Sequence, residues 1–328
     1  KKMQSFSGED PIYMGISKCL EAYTILMTTD MFGDVPYSAA FGGVDNLEPA
    51  FDSQESIYAA AQTLLDNAIN DFTATTGLQP GSDDLMYGGD ADMWTKFAYT
   101  LKARAYLHLG EVSSANYSSA LTALSNGFGS SADDAKVPFG TAATEWSPWY
   151  QYNTDRNDIA LGATYEAWLD SLNDPRMASY GAPLQSAHPY FTPDLAQPLL
   201  TFTESKFIEA ECRMQTEGAT AATHQAFLDG INSSFADLAI TDPTYTANPN
   251  VNPGASALTM TEIMVQKYLA MFTDPEVFND WRRTGLPALT PTVGTEVPVR
   301  LPYPEDEINY NSNCPATTTI YDKVWWDQ

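Results

Sequence analysis

Planar aromatic rings and hydrogen-bonding side chains are concentrated in one short stretch of the sequence. The residues of this stretch that could contact a ligand are Trp146, Trp149, Tyr150, Tyr152, Asn153 and Arg156. A sugar ring has an apolar C–H face and a rim of hydroxyl groups, so aromatic rings edged by Asn and Arg match its chemistry. We interpret the stretch as a candidate sugar-binding loop, with the alternative that its rings fill a small secondary core over the helices.

Catalytic and cofactor-binding motifs are absent from the sequence. The only histidines are His108, His188 and His224, and there is no nucleophile-elbow, phosphate-loop or dinucleotide-binding glycine motif. An acidic turn at residues 83–92 does not have the spacing of an EF-hand, and the three cysteines have no paired spacing. We predict no catalytic residue, no cofactor and no metal site, and we interpret His108 as a core residue.

Paired carboxylates leave one enzymatic alternative open. An inverting glycosidase needs two carboxyl groups about 6.5–9.5 Å apart, and Glu145, Asp155 and Asp158 lie in or beside the aromatic stretch. Because the chain has 42 acidic residues, such a pair arises easily by chance. An all-helical inverting glycosidase is therefore retained as an alternative function.

The charge balance excludes one class of partner. The chain of 328 residues has 16 Lys and Arg against 42 Asp and Glu, which gives a net charge of −26. This charge repels the phosphate backbone, so nucleic acid is not an expected partner. No apolar run approaches the roughly 18 residues that a membrane-spanning helix needs.

Helical periodicity recurs along the chain and predicts the elements that position these side chains. Seven segments repeat apolar residues at spacings of three and four, namely 16–27, 53–72, 94–108, 117–128, 207–214, 227–238 and 264–272. Thr259 and Glu262 predict a capped helix start, and Gly218 predicts a helix stop. Helices that each bury one stripe must stack on one another. We predict an all-α fold of tetratricopeptide-like helix pairs, an α–α superhelix decorated with long irregular loops.

Five blocks of sequence, in the same order, resemble the SusD/RagB family of nutrient-binding outer-membrane lipoproteins. The blocks are Asp30–Ala40 with Phe51–Tyr58, Tyr87–Arg104, Asn173–Arg176, Trp281–Pro287 and Arg300–Asn313. The resemblance implies a non-catalytic protein on the extracellular face of the outer membrane of Bacteroidetes, held there by a lipid anchor. It also implies that the protein captures an oligosaccharide or another small nutrient and delivers it to a SusC-like TonB-dependent transporter. A repeat-type scaffold that binds only protein is a further alternative.

The resemblance also sets the expected domain organisation. It implies one SusD-like helical domain over residues 1–328, without the signal peptide, lipidated cysteine and first helical stretch expected before residue 1. In this interpretation the chain is an N-terminally truncated member, which contacts the membrane only through an anchor that it lacks. We expect a helical scaffold mainly at 12–128 and 200–285, a loop-rich ligand-facing region at about 129–199, and a C-terminal loop segment at 286–328.

Ligand contacts vary among members of this family, so we predict the site from its chemistry. Phe41, Asp45 and Asn46 are interpreted as a second wall beside the aromatic stretch, and either wall could face the transporter instead. Trp325 and Trp326 are a candidate exposed pair of the same ambiguous kind.

The polar residues of the blocks are expected to hold the fold rather than to bind a ligand. Asp34 is expected to close a turn after Gly33, and residues 174–176 to start a helix. We expect Arg282 or Arg283 to pair with buried carboxylates or carbonyls, because an Arg fork commonly ties loops to a scaffold.

Overall fold

A computed structural model of the protein describes residue 4 and residues 10–157, 159–180 and 192–327. Its fold is mostly helical, with four short strands among the described residues. The helices are α1 (Pro11–Phe32), α2 (Gln54–Asp71), α3 (Ala91–His108), α4 (Ala115–Leu124), α5 (Pro148–Arg156), α6 (Ala163–Leu172), α7 (Met177–Tyr180), α8 (Phe202–Glu217), α9 (Ala221–Asp237), α10 (Met260–Ala270), α11 (Glu276–Thr284) and α12 (Glu305–Tyr310). The strands are β1 (Val35–Pro36), β2 (Phe51–Asp52), β3 (Ala135–Val137) and β4 (Gln197–Leu200), which form the antiparallel pairs β1–β2 and β3–β4. These pairs tie long connections back to the helices.

The helices pack in the pairs that the tetratricopeptide-like prediction requires. α1 packs on α2, α3 on α4 and α8 on α9, and contacts between α4 and α8 join the first two pairs to the third. At the crossing of α8 and α9 a Cβ atom on Gly230 would lie 2.8 Å from the Phe207 ring. Only glycine therefore lets these two helices approach so closely. The predicted all-α fold class is confirmed.

A capping box and a glycine explain where α10 starts and where α8 ends. The Thr259 hydroxyl and the Glu262 carboxylate form the predicted capping box at the start of α10. Gly218 ends α8 at φ 74°, a backbone conformation that glycine adopts without strain. All seven predicted helices are present, although α4 ends at Leu124, before the predicted end of its segment.

Apolar side chains from different helices form three buried clusters. One cluster joins α1, α2 and α3 with Trp326, and a second joins α6, α8, α9 and α10. The third lies between α3, α4 and α8 and contains Cys212. Trp326 is fully buried and its Nε1–H donates to Asp30 at 2.9 Å, while Trp325 is half-buried. The interpretation of these tryptophans as an exposed pair is therefore wrong, because the C-terminal segment packs into the first cluster.

Buried ion pairs connect the helices through the arginines of the sequence blocks. Arg104 on α3 bonds Glu204 on α8, and Arg283 on α11 bonds Glu211 on α8. Arg282 donates to the backbone carbonyls of residue 30 at 2.7 Å and residue 299 at 2.8 Å. Removing one partner of such a pair would leave a buried charge without compensation. The prediction that Arg282 or Arg283 pairs with buried carboxylates or carbonyls is confirmed.

The other predicted structural residues also lie at element ends. Arg176 is fully buried against the Asp174 carboxylate, 2.6 Å from its Nη2, just before α7 begins. The Asp34 carboxylate accepts the Gln54 N–H at 2.8 Å, so Asp34 holds the start of α2 instead of closing the turn at Gly33. The reason is that the β1–β2 pairing brings residue 34 next to the first turn of that helix.

His108 lies in the core and has hydrogen-bond partners on both ring nitrogens. Its Nδ1 is 2.7 Å from the Tyr58 hydroxyl, and its Nε2 is 2.5 Å from Glu276 Oε1. Burial lowers the pKa of His108, but the charges of Glu276 and Asp30 outweigh burial and raise it above its ordinary value. The prediction that His108 is a core residue is confirmed.

Candidate functional site

The aromatic stretch predicted to be a loop is a helix in the structure. Ser147 is buried and its hydroxyl accepts the Tyr150 N–H at 3.3 Å, which starts α5 with Pro148 in its first turn. Asn157, in the left-handed conformation at φ 50°, ends it. The expectation of a loop here is wrong because α5 has no apolar stripe, and periodicity was the signal on which helix prediction rested.

The helical spacing brings four of the predicted ligand contacts together on one face. Residues three, four and seven positions apart lie on the same side of a helix, and these are Trp149, Tyr152, Asn153 and Arg156. No residue of α5 is buried, and the Tyr152 side chain is 50% exposed. Trp149, Tyr150 and Asn153 are half-buried, whereas Tyr152 and Arg156 are exposed, so the rings of α5 lie partly against the protein and partly in solvent.

Contacts among the rings fix their orientation. The Arg156 guanidinium carbon lies 5.9 Å from the centre of the Tyr152 ring, so these side chains stack one helical turn apart. Trp146 and Tyr150 meet edge to face with ring centres 5.0 Å apart, and the Trp146 Nε1–H donates to the Thr141 carbonyl at 3.1 Å. The result is an ordered surface of rings with amide and guanidinium donors at its edge.

Backbone hydrogen bonds hold the start of α5 against the rest of the protein. The Ser147 N–H donates to the Pro193 carbonyl at 2.7 Å, and the Gly140 N–H donates to the Glu145 carbonyl at 2.8 Å. The Gly140 backbone lies close to the Glu145 side chain, since a Cβ atom at this position would lie 2.2 Å from the exposed carboxylate. The segment after β3 thereby presents α5 on the surface at a fixed place.

The second predicted wall lies at a separate cleft. Phe41 and Asn46 line an apolar cleft of about 340 Å³ between the β1–β2 connection and the segment before α12. Asp45 is exposed in a short 3-10 turn and does not line it. Among the described residues no hydrogen bond or ring contact joins Phe41, Asp45 or Asn46 to α5, so the structure does not bring the two predicted walls into contact.

The connection between β1 and β2 is unusually apolar for an exposed segment. Phe41 is 72% exposed at φ 67°, a conformation that residues with a Cβ rarely adopt. Val44 and Leu47 are 88% and 76% exposed. The prediction omitted Val44 and Leu47, because nothing in an isolated apolar residue of a loop indicates that it points into solvent.

The carboxylates considered for hydrolysis lie on the surface. Glu145 and Asp155 are both exposed, and Asp158 lies outside the described residues. In the described part of the chain no group of three or more His, Cys, Asp or Glu side chains is arranged to hold a metal ion. None of the described helices is both long and apolar enough to cross a bilayer.

Solved structures with the same fold are SusD homologues. A chitin-binding SusD homologue from Flavobacterium johnsoniae has a TM-score of 0.85 and 22% identity, over 99% of this chain and 83% of that chain. A SusD homologue from Bacteroides uniformis has a TM-score of 0.79 and 23% identity, over 100% and 83% of the two chains. A SusD-like protein from Bacteroides thetaiotaomicron has a TM-score of 0.81 and 19% identity, over 98% and 83%. At these identities the likeness establishes the fold.

The sequence itself matches a family model. No match is found among proteins of curated function. The SusD-like model, described as starch-binding and associating with the outer membrane, matches residues 1–190 and 186–304. These ranges cover most of the chain and contain four of the five sequence blocks completely. The chain therefore belongs to the SusD/RagB family of outer-membrane-associated nutrient-binding proteins.

Proposed function

We propose that the protein captures an oligosaccharide at the cell surface on the exposed face of α5 and passes it to a SusC-like TonB-dependent transporter. In this proposal a lipid anchor holds the protein on the extracellular face of the outer membrane. The observation that carries the binding site is the alignment of Trp149, Tyr152, Asn153 and Arg156 on one helical face, of which Tyr152 and Arg156 are exposed and Trp149 and Asn153 half-buried. The fold and the family support the wider role.

The chemistry of this face suits a neutral sugar chain. Aromatic rings stack on the C–H faces of sugars, and the Asn153 amide and the Arg156 guanidinium can hydrogen-bond to hydroxyl groups. We expect dissociation constants on the order of micromolar to millimolar, because stacking and neutral hydrogen bonds on an open surface give modest affinity.

Calorimetric titration against soluble glycans tests the binding site. Chitin and starch oligosaccharides come first, because one structural relative is described as chitin-binding and the family model as starch-binding. Binding is expected to be lost in Trp149→Ala and Tyr152→Ala but retained in Tyr321→Ala. Tyr321 is the matched control because it is 47% exposed, close to the 50% of Tyr152.

Product analysis of the same mixtures separates binding from hydrolysis. Intact oligosaccharide after prolonged incubation supports a binding protein. Shortened products that disappear in Glu145→Gln or Asp155→Asn would replace the proposal with the glycosidase alternative.

The exposed apolar connection at residues 41–47 supports contact with the transporter. An apolar patch that is exposed to solvent is typical of a protein-binding site. Co-purification with the transporter is expected to be weakened by Val44→Ser and unaffected by Val293→Ser, because the two valines are 88% and 87% exposed in different loops. Equal co-purification of both variants would remove this connection from the proposed interface.

A further inference from the structure

A second cavity, partly open to solvent, lies away from α5. It has a volume of about 270 Å³ and opens between the C-terminal ends of α9 and α10 and the β3–β4 pair. Drug-sized ligands occupy pockets of about 300–1,000 Å³, so this cavity suits a smaller molecule with a single ring. Neither the sequence blocks nor the aromatic stretch predicted it.

One wall of the cavity is aromatic and flat. Tyr180 and Phe272 stack with their ring centres 4.5 Å apart and their planes 28° apart. Tyr180 is fully buried, whereas Phe272 is partly exposed. A flat ring with C–H groups on its face can pack on such a wall.

The lining also carries hydrogen-bonding groups. Asp274 Oδ1 accepts the Glu276 N–H at 2.9 Å, and within the described residues Oδ2 has no hydrogen-bond partner. Asp237 Oδ2 accepts the Thr203 hydroxyl at 3.1 Å. The Asp237 carboxylate keeps capacity to accept hydrogen bonds, and the Asp274 carboxyl, whose pKa burial raises to about 7, can accept them through an oxygen in either protonation state.

The charges of the lining select against anions. Among the described residues of the lining the only cation is Lys136, and its Nζ lies 2.9 Å from Asp134 Oδ2, so the charge of this lysine is already paired. The Asp237 carboxylate from α9 and the Asp274 carboxyl from the segment after α10, which burial holds partly protonated near pH 7, remain in the lining. A ligand with its own negative charge would meet repulsion here, whereas hydroxyl groups would meet acceptors.

The aromatic wall, the carboxylate acceptors and the paired lysine together define one ligand chemistry. We infer that this cavity binds a single neutral sugar ring, with its C–H face on Phe272 and its hydroxyl groups donating to Asp237 and Asp274. The ring comes either from a free monosaccharide or from the end of a chain. The site goes beyond the proposed surface of α5, since no α5 residue lines the cavity.

Titration of the whole protein with N-acetylglucosamine, glucose and glucuronate, followed by NMR or calorimetry, tests the inference. At least one neutral sugar is expected to bind, and glucuronate is expected to bind about 10-fold more weakly or not at all. Failure of both neutral sugars to bind, or equal binding of glucuronate, would overturn the inference.

A variant that fills the cavity locates the binding. Ala270 lines the cavity at the end of α10, so Ala270→Phe places a ring where the sugar would lie. Ala59→Phe on the exposed side of α2 is the matched control. Binding of the neutral monosaccharide is expected to be lost in Ala270→Phe and kept in Ala59→Phe; equal binding by both variants would contradict the inference.

A second variant keeps the test decisive if Ala270→Phe does not fold. Asp237 is exposed, so Asp237→Asn is expected to fold and to weaken sugar binding about 10-fold by removing a charged acceptor. Unchanged affinity in this variant would count against the inference.

Oligosaccharides identify the source of the ring. Weakening of both monosaccharide and oligosaccharide binding in Ala270→Phe assigns the cavity to a chain end, and weakening of monosaccharide binding alone assigns it to a free sugar. If no monosaccharide binds and oligosaccharide binding is lost in Trp149→Ala, the inference about the cavity is rejected. The face of α5 is then the binding surface.

Discussion

Individual residues divide into those that hold the fold and those that face solvent, and the sequence predicts the first kind better. The arginines of the sequence blocks were expected to pair with buried groups, and Arg282 and Arg283 do so. Their charge and their position beside helix ends were sufficient signals. The exposure of Val44 was not predictable, because exposure depends on how distant segments cover a loop.

Asp274 gives a prediction at the scale of one side chain. Burial raises the pKa of Asp274 to about 7, and the carboxylates of Glu204 and Glu276 act in the same direction against the opposing charge of Arg104. The folded state therefore holds this proton more tightly than the unfolded state does. The contribution to stability is fully present below about pH 4, falls as the pH rises to 7, and is constant above it.

Replacing this carboxyl by an amide removes the titration. Asp274→Asn keeps an oxygen for the Glu276 N–H, so we expect the variant to gain between about 1 and 4 kcal/mol relative to the wild type between pH 4 and pH 8. Chemical denaturation at both pH values measures the difference. A constant difference between the two proteins across this range would show that Asp274 does not titrate as the structure indicates.

At the scale of elements, the scaffold was predictable and the ligand-facing helix was not. The seven helices of the scaffold are predictable from the apolar stripes in their sequences, because each helix buries one face against another helix. α5 buries none of its residues, so its sequence carries no stripe, and its start depends on Ser147 being held by Pro193. That contact joins residues 46 positions apart, which no local pattern contains.

The helical spacing of α5 can be tested by moving one ring. Thr154 lies five positions after Trp149, on the side of α5 opposite to the proposed binding face. The double variant Tyr152→Ala, Thr154→Tyr keeps the number of aromatic residues in the segment but moves the tyrosine off this face. Its oligosaccharide affinity by calorimetry is expected to match that of Tyr152→Ala alone; full recovery of binding would indicate that composition matters and spacing does not.

At the scale of the whole molecule, the net charge of −26 means that the salt dependence of binding reports whether the ligand is charged. A neutral oligosaccharide has no charge for this field to act on, so screening should leave its affinity almost unchanged. We expect the dissociation constant to change by less than about 2-fold between 50 and 500 mM NaCl. A strong decrease of affinity with salt, measured in the same titrations, would indicate a cationic ligand instead of a neutral sugar.

The burial of Trp326 has a consequence for the order of events when the protein is made. Its indole reaches Asp30 on the first helix across 296 positions of sequence. Ribosomes add about 5–20 residues each second, so roughly 15 to 60 seconds separate the synthesis of the two partners. During that time Trp326 has not yet been made, so it cannot pack against Asp30 and the apolar surface around it. The interior around the first helix pair is therefore completed only after residue 326 has been made, long after the two helices themselves.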